Sequence, residues 1–217
     1  MADAVDVPVG GGDAPAPLTL QEAAALAGAY RWAEDRLFRL TGGWASDPAP
    51  PAVRVHLDEV SGHHAWHAQL WADRLPVLDW FDQDAATGPL GDAAGPVLDA
   101  LAALPVEPVA RLAGLYRVVV PRLLVGYDRH LGLAAPGTDG PVIRALQLVR
   151  RDHVESWRSG EALLQGLVAG PETASTAAAA QRDLEAVLGE RGGGPGLFPW
   201  LGSPARGSTE SQFKGHF

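Results

Sequence analysis

Apolar residues recur along most of the chain at intervals of three and four. That is the spacing of one helix face when each residue turns the chain by about 100°. The first such run follows Thr19, a good helix-capping residue type, and predicts a helix over about 20–41 that ends at Gly42-Gly43. A second helix is predicted over about 52–74, stopped before Pro76, and a third over about 107–132, where Pro121 predicts a kink. A fourth covers about 141–169, with Pro141 in its first turn, where a missing N–H is harmless. Gly170-Pro171 separates it from a fifth, alanine-rich helix that ends near Gly192. Neither a period-two strand pattern nor a fixed repeat appears.

Four long helices and a fifth shorter one predict an all-α domain over 18–190, an antiparallel four-helix bundle with a long crossover. The crossover falls between helices two and three, where LPVLDWFDQDAATGPLGDAAG supplies spare length and at most short helical turns. Residues 1–17 read as a flexible arm and 191–217 as a Gly/Pro-rich tail. The tail carries an apolar plug, Leu197, Phe198, Trp200 and Leu201, suited to docking on the domain or on a partner.

The apolar stripes also say where ionisable groups point. On helix two the stripe is Val53, Leu57, Val60, Trp71, Leu75 and Leu78; His64 and His67 lie inside it, His63 at its flank, and Glu59 beyond, near Trp66 and Leu70. On helix four, Val142, Leu146, Val149, Trp157, Gly160, Leu164 and Leu167 surround His153, with Asp152 at the edge. Helix three turns Tyr116, Tyr127 and His130 the same way, and on helix one Leu26, Tyr30, Ala33, Leu37 and Phe38 bracket Glu34. Unpaired buried charge costs several kcal/mol, so such groups find one another, a metal or a ligand. The alternatives are a neutral His153 satisfied in the core, tyrosines that only pack, and Glu34 paired with Arg31.

The residue types present narrow the chemistry. A net charge of −9 with no basic stripe argues against binding nucleic acid. The absence of cysteine removes disulfides, thiolate metal sites and thiol nucleophiles. The start of the chain lacks the pattern of a signal peptide, and no apolar run reaches the roughly 20 residues of a membrane span, so a cytoplasmic protein is expected. Phosphate-cradling glycine loops and the Gly-x-Ser-x-Gly elbow are missing.

Residues 20–169 resemble the ferritin-like superfamily. Tyr30 to Glu34 stands as that family's first-helix contribution, His64-Ala-Trp-His67-Ala where it carries Glu-x-x-His, and Asp152-His153-Val154-Glu155-Ser156 where it carries Asp-Glu-x-x-His. His64 and His153 replace bridging glutamates and Ser156 replaces a histidine. A neutral imidazole cannot neutralise two close cations, so the resemblance implies an altered site rather than the standard di-iron one. It would hold one non-haem Fe, Mn or Zn ion on Glu34, His64, His67 and His153, or act without metal by acid–base chemistry. A second register would use Glu59 and His63. His64, His153 and Tyr127 are then the candidate catalytic groups, acting on a small organic molecule as a metal-dependent oxidoreductase. The other class of function is non-catalytic, with ligand binding or a homodimer formed through Trp66, Leu70 and the tail plug.

Overall fold

In the computed structural model, which describes residues 18–192, 194–199 and 201, every regular element is a helix. The predicted arm, Trp200 and the end of the tail lie outside the described residues. The helices are α1 (Leu20–Ala45), α2 (Pro51–Ala72), α3 (Ala94–Ala102), α4 (Pro108–Ala113), α5 (Val120–Leu133), α6 (Gly140–Leu167) and α7 (Pro171–Glu190). A wider π-helical turn, Gly114–Val119, joins α4 to α5. None of these helices is long and apolar enough to cross a membrane.

α1 begins at a capping box. The Glu22 amide donates to Thr19 Oγ1 at 3.2 Å, and the Thr19 amide donates back to the Glu22 carboxylate at 2.8 Å. The helix does not stop at Gly42-Gly43 as predicted, because Gly42 is there for close approach. A Cβ on it would sit 2.8 Å from Ser61 Oγ of α2. The extra turn buries Trp44, over which the Arg111 guanidinium sits at 5.0 Å. Val53, Leu57 and Trp71 of α2 pack with Leu26, Ala33 and Leu37 of α1 in one core. Each such aliphatic side chain contributes about 1.5–3 kcal/mol by leaving water.

Three predicted core positions are on the surface. Phe38 is exposed on the outer side of α1, and Leu78 is exposed because α2 has already ended at Ala72. Trp157, predicted in the stripe of the fourth helix, is exposed as well, because its indole reaches across to donate its N–H to the Tyr116 carbonyl at 2.8 Å.

That bond shows how the chain accommodates Pro121. In the π turn the Val120 amide reaches back five residues to the Leu115 carbonyl. The next donor in that series would be Pro121, which has no N–H to offer Tyr116. Trp157 supplies the missing donor from α6. The predicted kink is therefore expressed as a widened turn with its orphaned carbonyl capped from outside.

The long connection is structured. It crosses α1 at Gly28, where a Cβ would lie 2.0 Å from the Ala86 carbonyl oxygen, and Arg31 Nη1 donates to Thr87 Oγ1 at 3.2 Å. It ends in α3, which buries Ala94, Val97, Leu98 and Leu101. α7 packs on α4 and the π turn, α3 packs on α7 and the π turn, and α6 also meets both α4 and the turn. For that reason Val109 to Tyr116 is buried all round. The tail returns over α5: the Leu197 amide donates to the Arg122 carbonyl at 3.3 Å, and Leu197 and Phe198 are buried on their own domain.

Candidate metal centre

Four helices direct five groups to a common point. Glu34 comes from α1, His64 and His67 from successive turns of α2, Tyr127 from α5 and His153 from the middle of α6. All five are buried, Glu34 completely. The Tyr127 hydroxyl donates to Glu34 Oε1 at 2.5 Å, and His153 Nε2–H donates to the same oxygen at 2.7 Å. His64 Nδ1–H donates to Oε2 at 2.5 Å. Arg31, the bland partner for Glu34, turns instead to Thr87 and Asp84.

His67 stands differently. Its Nε2–H donates to Asp152 Oδ2 at 3.2 Å, which leaves the lone pair on Nδ1, 3.6 Å from Glu34 Oε2. Nδ1 of His67 and Nε2 of His64 are buried and have no hydrogen-bond partner. A lone pair facing a carboxylate oxygen in a dry interior is repulsive unless a cation lies between them, either a proton on the imidazole or a metal ion. One ligand atom from each of Glu34, His64, His67 and His153 can be chosen so that all four lie within 4.8 Å of one another.

The electrostatics agree with that geometry. Burial works against an ionised Glu34, but its pairing with His153, His67 and His64 and the His153 hydrogen bond outweigh it and hold the carboxyl well below its usual range. For His64 burial wins over the pull of Glu34 and lowers it to about 4, so it stays neutral. For His67 burial is outweighed by Glu34 and Asp152, and its affinity for a proton rises. Burial, reinforced by the Glu34 charge and the hydrogen bond to it, pushes Tyr127 far up and keeps it a neutral donor. An aromatic wall closes this side: Tyr127 stacks on Trp71 at 5.9 Å and meets the edge of Tyr30 at 4.8 Å.

Of the candidate residues, Glu34, His64, His67, His153 and Tyr127 come together. Glu59 is exposed, and neither it nor His63 belongs to the group. His63 is half-buried, its ring stacked near His67 at 6.3 Å. Sequence reasoning passed over His56, which is buried with Nε2 2.6 Å from the Tyr116 hydroxyl. Its position between Val53 and Val60 on the same stripe was the available signal. No protein-family model, curated protein or solved structure matches the chain.

Proposed function

We propose that Glu34, His64, His67 and His153 hold a single divalent transition metal in a ferritin-like four-helix bundle, and that the centre serves a non-haem oxidoreductase acting on a small organic molecule. The observation that carries this reading is His67 Nδ1, a buried lone pair turned toward a buried carboxylate while Asp152 holds the far nitrogen. The donor set fits one ion. Three neutral imidazoles and one carboxylate suit Fe, Mn or Zn, and among the described residues a second ion would find no further buried carboxylate beside Glu34. Asp152 would orient His67 and Tyr127 would hold Glu34 Oε1. A bound ion would supply Lewis acidity or one-electron chemistry.

Purified full-length protein should retain close to one transition metal per chain, and His67→Ala should lose it. A protein that retains none, and whose unfolding is unchanged by added Zn, Mn or Fe(II), would sink the metal reading. A second reading has its own observation, the 2.5 Å contacts that Tyr127 and His64 make directly with Glu34. In that case a proton on His67 balances Glu34 and the site works by acid–base exchange. Association through exposed Trp66 and half-buried Leu70 is the remaining class, without the tail, whose Leu197 and Phe198 are spent on their own domain. Sedimentation of the wild type against Trp66→Glu tests it.

A further inference from the structure

The buried centre raises the question of how an ion reaches it. Glu34 is 0% exposed, His67 1%, and His64 and His153 2% each. Tyr127, Trp71 and Tyr30 close one side with aromatic rings, a poor path for a hydrated cation. Between α2 and α6, by contrast, polar side chains run from the centre to water. His67 is the link: Nδ1 faces Glu34 at 3.6 Å, and Nε2–H donates to Asp152 Oδ2 at 3.2 Å. Asp152 belongs to the surface, with 26% of its side chain exposed.

One turn before His67 on α2 stands His63, half-buried, its ring stacked beside His67 with centroids 6.3 Å apart. His63 Nδ1 is buried and has no hydrogen-bond partner. A nitrogen in that position has a cost that a bound cation removes. Two histidines four residues apart on a helix are spaced to grip one divalent ion, and two imidazoles with a carboxylate from a neighbouring helix make a set that such ions accept. His63 and Asp152 stand outside the inner four, whose ligand atoms lie within 4.8 Å of one another. A looser outer set suits transit, because a station on the way in must release its ion and the inner centre must keep it.

We propose that His63 and Asp152 form an outer cation site that takes the divalent metal from water and passes it by way of His67 to the buried centre. The inference rests on the metal reading of that centre. Asp152 swings from His67 to meet the hydrated ion together with His63 Nδ1. Once the ion has moved onto Glu34, His64, His67 and His153, Asp152 returns to hold His67 Nε2–H.

Co(II) is the probe, mixed with metal-free full-length protein, followed by its visible absorption and later withdrawn with excess chelator. His63→Phe keeps a ring beside His67 but has no nitrogen. It should slow loading and release alike, each by about tenfold, and leave affinity and stoichiometry unchanged, because a station on the path eases passage in both directions. Asp152→Asn keeps an acceptor for His67 Nε2–H but loses the charge, and it should slow loading by a similar factor. A residue that only oriented His67 would behave otherwise: affinity would fall about 10–100-fold through faster release, with loading unchanged. Wild type that takes up no Co(II) would remove the buried centre and this route together. Wild type that binds Co(II), with either variant loading at the wild-type rate, would leave the centre standing and overturn the route.

Discussion

At Glu34 two effects oppose each other, and the one that favours the ionised form wins. Desolvating a carboxylate costs several kcal/mol, and only hydrogen bonds from charged or strongly polar donors offset it. Tyr127→Phe removes one donor without changing shape, so it should destabilise the fold by about 1.5–3 kcal/mol in urea unfolding. His130 makes a separate claim. Burial lowers it to about 4, against a weaker upward pull from Asp139, so the folded protein holds it neutral. An unfolded histidine near 6.5 binds the proton first, so its contribution to stability is complete above pH 6.5 and drains away as pH falls toward 4. The slope amounts to roughly 3 kcal/mol over that window, at about 1.4 kcal/mol per unit. His130→Leu should flatten it relative to wild type, and an unchanged pH profile would contradict the burial argument. Inward histidines were legible because α2 and α6 are regular enough for a 100° rotation to hold over several turns. Phe38 and Leu78 were misread because hydrophobicity alone does not say where a helix face or a helix itself ends.

Single elements carry two further tests. The connector lies directly on the α1 backbone at Gly28, and backbone cannot move aside as a flexible side chain can. Gly28→Ala should therefore lower stability by about 1–3 kcal/mol in urea, despite alanine's better helix propensity. Trp157→Phe keeps an aromatic ring at that position of α6 but strips the donor from the Tyr116 carbonyl, at a cost of about 1–3 kcal/mol in the same assay. The periodic helices could be read from sequence because their apolar stripes are long. α3 could not: nine residues give little more than two turns of pattern, and the Gly/Pro-rich stretch before it reads as loop. The π turn was signalled only by Pro121, which predicts disruption but not its form.

For the molecule as a whole, an ion bound only by the folded state should stabilise it by mass action. At a hundredfold excess over Kd that is about 2.7 kcal/mol, or roughly 5–10 °C in Tm for a chain of this size. Thermal melts with Zn or Mn, reversed by a chelator, measure it; superimposable curves would count against the centre. The all-helical class and the meeting of α1, α2, α5 and α6 side chains followed from amphipathic faces. The placement of α7 and α3 around α4 and the π turn did not, because a segment buried on all sides carries no stripe to say which neighbour lies where.

The same carboxylate also constrains the order of assembly. Glu34 draws its three donors from 30, 93 and 119 residues away along the chain. A hairpin of α1 and α2 alone gives it one of them, so any compact intermediate that excludes water before α5 and α6 arrive strands a carboxylate short of donors. Such intermediates are penalised in proportion to how dry they are, and the interior should close in one late, concerted step once all four segments are present. Refolding of Glu34→Leu, which has no such demand, should then show a more populated early intermediate than the natural chain.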